Sequence, residues 1–158
     1  MDKNKAMIDY LLSCPTILNN PLFFNFVNAK DNNNQIITES NEKILQRPFI
    51  DGSVLKQYTI TIILFKTISQ NAIVKLDGYP DENVTELAMV QELIDWISEQ
   101  ETLQNYPNFG NDCTVESIGT TANNPNLDDI DVSVQPPLAR YSVSIVVEYV
   151  DNSKRIWN

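Results

Sequence analysis

The chain has 158 residues, of which 42% are hydrophobic and 20% charged, with only 4 glycines; this suits one globular domain, residues 1–158, and excludes a disordered polyelectrolyte or a collagen-like repeat. With 11 basic against 21 acidic residues the formal charge is -10, a sign that repels a nucleic-acid backbone, and no local basic cluster reverses it along the chain. Histidine is absent, which excludes a Ser/His/Asp triad, a Cys/His pair, a histidine-held metal and a histidine proton shuttle.

From the N-terminus, Ala6, Met7, Tyr10 and Leu11 recur at helical spacing, predicting a short helix over Lys3 to Ser13 that stops ahead of Pro15. Leu22 to Val27 reads as a strand. The polar stretch Lys30 to Gln35 then separates it from Ile36-Ile37-Thr38, which predicts a hairpin with a long polar tip. Lys56 to Thr67 is the strongest strand. Tyr58, Ile60, Ile62 and Leu64 line one face, while Thr59 and Thr61 give way to Ile63 and Phe65 on the other, so its second half must be covered on both sides.

Asn83 to Gln100 predicts the longest helix, with Asn83 as its cap and Glu86 three residues on. Leu87, Val90, Leu93, Ile94 and Ile97 share one side, Met89 and Trp96 widen that arc, and Glu92, Asp95 and Glu99 lie opposite. Such an arc exceeds what one sheet face needs. A second element of the chain is therefore expected over Met89 and Trp96, with a neighbouring subunit as the alternative. The Asn83-Val84-Thr85 triplet matches a glycosylation acceptor and reads here as a helix start.

Asn105 to Gly110 is a turn, followed by a strand through Thr114 to Ile118 and a long polar loop over Thr120 to Pro137 holding one short strand at Ile130 to Val134. Arg140 to Tyr149 alternates again, with Tyr141, Val143, Ile145, Val147 and Tyr149 on the buried side. Its likeness to the Tyr58 strand predicts that the two lie antiparallel in one sheet. The expected fold is α+β, a mostly antiparallel sheet of about four to six strands with two main helices packed on one face.

Chemistry is sparse. Asp128, Asp129 and Asp131 lack the ligand alternation, central glycine and closing glutamate of a calcium loop, and read as a solvated acidic turn. Gly78, Gly110 and Gly119 are isolated, so no phosphate cradle is indicated. Cys14 and Cys113 are expected as buried free thiols. Catalytic residues, cofactor and metal are all expected to be absent. The apolar run at Ile60 to Phe65 falls well short of the roughly 20 residues of a membrane helix, and Met1 to Lys5 does not lead into an export signal. Arg140, Lys154 and Arg155 gather around the last strand as candidate partners for carboxylates at a contact surface. Ile156 and Trp157 are apolar residues near the end of the chain that something should cover.

The order of short helix, hairpin, long strand, helix with Ile94-Asp95-Trp96-Ile97, turn Asn105-Tyr106-Pro107-Asn108-Phe109-Gly110 and final strand led by Ala139-Arg140-Tyr141 resembles the tail-terminator (tail-completion) proteins of bacteriophages and phage-like contractile particles of low-GC Gram-positive hosts. The likeness is strongest from about Val84 to Tyr149. It implies a structural, non-enzymatic virion subunit, made in the host cytoplasm. Such subunits form a ring, typically of six, that caps the head-proximal end of the tail tube, ends its polymerisation and joins the tail to the neck. Implied partners are further copies of the chain, the tail-tube protein, the neck or connector protein and, in a contractile particle, the sheath. Six copies at -10 each make -60, so a lumen lined by carboxylates would pass DNA without holding it. The expected contact residues are Met89, Trp96, Tyr106, Phe109, Arg140, Arg155 and Trp157. Two alternatives stand beside this reading: a neck connector or tail-tube subunit, and, from another class, an acidic DNA mimic. An enzyme working with carboxylates alone is a further, weaker one.

Overall fold

A computed structural model describes residues 2–18, 22–24, 34–67, 82–121, 126–131, 133 and 138–156; of residues 22–24, 34–41, 82–90 and 126–129, among others, it describes the backbone alone. Among the described residues nine elements follow one another: α1 (Lys3–Leu11), α2 (Pro15–Leu18), β1 (Leu22–Phe24), β2 (Asn34–Ile44), β3 (Val54–Thr67), α3 (Glu82–Leu103), β4 (Cys113–Thr120), β5 (Asn126–Asp131) and β6 (Leu138–Asp151). The strands form one sheet in the order β1-β2-β3-β6-β4, with β5 also paired to β6. This is the α+β class expected, and α1 and α3 pack on the same face.

The centre of the sheet is the antiparallel pair β3 and β6, in register from Val54 opposite Asp151 to Thr67 opposite Leu138. Because strand side chains alternate, Tyr58, Ile60, Ile62 and Leu64 stand opposite Val147, Ile145, Val143 and Tyr141, and all eight are buried. Met7, Leu11, Ile17, Leu93, Ile94 and Ile97 close the core from the helix side, each such burial contributing about 1.5–3 kcal/mol. On the opposite face Ile63 and Phe65 are also buried, as the change in composition along β3 requires, while Thr61 and Ser144 share a hydrogen bond at 2.9 Å.

Local chemistry sets the helix ends. Asp2 caps α1, its carboxylate accepting from the Asn4 amide at 2.9 Å, and Pro15 opens α2, where its missing N–H costs nothing. Helix α3 begins at Glu82, so Asn83 is a first-turn residue and not the cap. At its other end Gln104 takes φ 53°, and the Asn105 amide donates to the Gln100 carbonyl, a left-handed stop made without glycine.

Two sequence expectations are corrected here. β1 and β2 pair in parallel, Leu22 opposite Asn34, which rules out a hairpin between them because a tight turn can join only antiparallel neighbours. The acidic run is no turn: Asp128, Asp129 and Asp131 belong to β5, whose backbone hydrogen bonds to β6 outweigh its poor strand composition. β4 and β5 thus line the same edge of β6 end to end, β4 facing residues 145–151 and β5 facing 138–142.

The outer strands are irregular. β2 carries a bulge between Ile37 and Asn41, β4 one between Val115 and Ser117, and β5 one between Leu127 and Asp129. The extra residue in β4 is what lets Val115 and Ile118, three positions apart, stand opposite Tyr149 and Val147 on the same helix-covered face. It also leaves Glu116 exposed.

Candidate functional site

The residues singled out from the sequence do not form one site. Phe109 is withdrawn from the surface: it is 4% exposed and fits between Tyr58 and Tyr149, with ring centroids at 5.5 and 5.4 Å and both pairs edge-on. The turn folds onto the helix-covered face of the sheet, so its aromatic serves as core and not as contact. Trp96 is half-buried and packs on Tyr10 of α1 at 5.2 Å, so a second element of the same chain covers the widened arc at that point. The side chain of Met89 and the whole of Trp157 lie outside the described residues.

Arg140 and Arg155 are separated by the length of β6, roughly 35–40 Å at strand rise. Arg140 is half-buried, in register between Phe65 of β3 and Asp129 of β5. Arg155 belongs to the other end, where its guanidinium holds Asp51 at 3.0 Å. The three-cation group expected around β6 is therefore split.

Two features at the Val54 end of the sheet were not singled out from the sequence. The first is the tip joining β2 to β3. The Phe49 amide donates to the Ser53 carbonyl at 2.8 Å, that of Gly52 to the Phe49 carbonyl at 2.9 Å, and the Ser53 amide and hydroxyl to the Asp51 carboxylate at 3.0 and 2.6 Å. The C-terminal segment staples this tip through the Asp51–Arg155 pair and the Ile156 amide, which donates to the Asp51 carbonyl. Lys56 and Asp151, 2.8 Å apart, tie the strands just behind. The Ser53 hydrogen bonds, aided by Arg155, hold the Asp51 carboxyl below its usual range. At Asp151 burial acts against ionisation, but the bonds from Lys56 and Ser153 outweigh it and leave that carboxyl low as well.

On this rigid frame the apolar side chains point outward. Ile50 is 88% exposed, Ile156 71%, Ile44 62% and Phe49 45%. Around them the fold collects charge that is dispersed in the sequence: residues 43–56 and 151–156 hold Lys43, Arg47, Lys56, Lys154 and Arg155 against Asp51 and Asp151. Glu42, paired with Lys3, and Asp112, whose carbonyl accepts from the Asn152 amide, flank this group, so the end of the sheet is a local gathering of cations on an acidic chain, which the linear reading did not find. Its signal was the apolar pair Phe49-Ile50 set directly before Asp51-Gly52, where a turn is ordinarily polar.

The second feature is a groove of about 360 Å³ between α1 and the 105–110 turn, lined by Asp2, Lys5, Ala6, Asp9, Tyr10, Tyr106, Pro107 and Asn108. The Tyr10 hydroxyl donates to the Asn105 carbonyl at 2.8 Å, and Lys5 and Asp9 pair at 2.9 Å. Beside Tyr106, Glu101 accepts from the Ile118 amide at 2.8 Å, so α3 occupies a donor of the β4 strand. Burial and then Glu101 raise the Tyr106 phenol. The groove therefore has an aromatic wall and a charged rim in which Asp2 and the Lys5–Asp9 pair stand.

Among the described residues no group of three or more Cys, Asp or Glu is placed to hold a metal ion, and no helix is long and apolar enough to cross a membrane. No protein-family model and no curated protein matches the chain.

Proposed function

We propose that the chain is a structural ring subunit that caps the head-proximal end of a bacteriophage or phage-like tail tube, ends tube growth and joins tail to neck. The sequence from about Val84 to Tyr149, where the resemblance to the tail-terminator proteins is strongest, suggests the position; the hairpin of the expected order is not part of that support. The observation that carries a structural role is the tip. Several hydrogen bonds and an ion pair hold Phe49, Ile50 and Ile156 outward into water, at a cost that burial against another protein would reverse. A sheet closed on one face by α1 and α3, with an extended β3–β6 pair running its full length, supplies the rigid body such a part needs.

In this reading the chain acts by fitting surfaces and performs no bond-making step. It occupies the virion tail, with copies of itself, the tube protein and the neck protein as neighbours. The test is to add the purified protein to tube subunits in the act of polymerising. Tubes that stop growing and show a ring at one end support the reading. Tubes that grow to the same length with bare ends, at saturating protein, contradict it.

A further inference from the structure

We infer that the β2–β3 tip of one copy seats in the α1/turn groove of the next, a proposal that rests on the ring reading above. The two surfaces are complementary in both respects that matter. The tip offers exposed Ile50 and Phe49 among the exposed cations Lys43, Arg47 and Lys154, none of which forms an ion pair among the described residues. The groove offers Tyr10, Tyr106 and Pro107 with the exposed carboxylates Asp2 and Asp9 at its edge; Lys5 of the same lining pairs with Asp9, and Glu101 and Glu116 beside Tyr106 keep the surroundings acidic.

Charge selects the occupant. Outside residues 43–56 and 151–156 the chain keeps only 6 of its 11 basic residues but 19 of its 21 acidic ones, so copies repel one another except where the tip meets the acidic body. A strongly acidic partner would suit the tip alone, and a basic one the groove alone. A second copy of this chain is the partner that satisfies both. Pinned to β3 and to the 152–156 segment, the tip of this chain leaves Ile50 exposed and does not fill its own groove, although its base touches α1 through Lys3 and Glu42. The contact is therefore between chains. Because its two halves differ, it is head-to-tail, the kind that closes into a ring when the rotation allows.

The experiment uses the full chain and measures mass in solution by light scattering for wild type, a tip variant (Ile50→Asp) and a groove variant (Asp9→Lys). Both positions are exposed, so unchanged melting temperatures establish that the variants fold; Arg47→Glu provides a second tip variant. Wild type is expected to assemble and each variant to run as a single subunit. An equal mixture of the tip and groove variants is expected to recover a two-subunit species, because one intact tip and one intact groove remain. Wild type that is a single subunit overturns the ring reading and this pairing with it. Wild type that assembles while either variant also assembles, or while the mixture stays at one subunit, overturns the pairing and leaves the ring reading standing.

Discussion

Gly52 lies directly against the backbone carbonyl of Lys154, at φ 87°, with no room for a Cβ between them. The tip and the C-terminal segment are therefore held together by close backbone approach as well as by the Asp51–Arg155 pair. A left-handed φ and a colliding methyl group both count against any other residue here.

Gly52→Ala is expected to lower stability by about 1–3 kcal/mol and to make the Ile156 amide exchange faster with solvent. Urea denaturation together with amide exchange checks this. An unchanged midpoint with unchanged protection would mean that the segment is not packed on the tip.

The ion pairs around the tip give it a defined pH window. Asp51 and Asp151 have folded-state values below the ordinary 3.8, so the stability they contribute is present above that value and is lost as pH falls through the lowered ones. Lys56 is raised above 10.5, chiefly by its hydrogen bond to Asp151, so its contribution is present below 10.5 and is lost as pH rises through the raised value. Melting temperature is expected to be nearly flat from about pH 5 to pH 9, with an acid-side decline that is smaller in Asp151→Asn. An equal acid-side decline in the variant would remove Asp151 from the account.

Tyr10, Tyr58 and Tyr149 all have phenols pushed well above the ordinary 10.0, by burial first and by neighbouring carboxylates second. The folded state holds their protons where the unfolded chain releases them, so stability falls as pH rises past 10.0. Alkaline titration followed at 295 nm is expected to show these phenols ionising together with unfolding. Smooth ionisation of all the tyrosines near pH 10, with the fold intact, would contradict their burial.

Phe109 and Tyr106 are expected to separate by consequence although they stand three residues apart in one turn. Phe109→Ala removes the ring between Tyr58 and Tyr149 and should cost about 3–5 kcal/mol. Tyr106→Phe leaves the aromatic wall of the groove in place and should shift stability by less than about 1 kcal/mol. Chemical denaturation of the two variants measures both. Equal losses would mean that the turn packs differently.

The sheet centre was legible because β3 and β6 each carry a period-2 pattern over several residues, and their Tyr-x-Ile/Val-x-Ile likeness reflects a shared exposure to the helices. The exposed Glu92, Asp95 and Glu99 face of α3 was legible for the same reason at the helical period. β5 was legible only at its end, where Ile130 and Asp131 fall inside the strand expected over Ile130 to Val134; Asn126 to Asp129 has almost no strand-forming composition and owes its conformation to the edge of β6. Phe109 misled because an aromatic in a turn rich in proline and glycine looks like a surface residue until the turn is seen to lie over Tyr58 and Tyr149. The basic tip was hidden for a simpler reason: residues 43–56 and 151–156 become neighbours only when β3 pairs with β6.

The most direct measurement of the central claim is electron microscopy of purified tail tubes incubated with this protein, scored for a ring at the tube end and for further growth when tube subunits are added. Capped tubes that no longer lengthen are the expected result. Tubes that remain open and continue to grow beside unattached protein would contradict it.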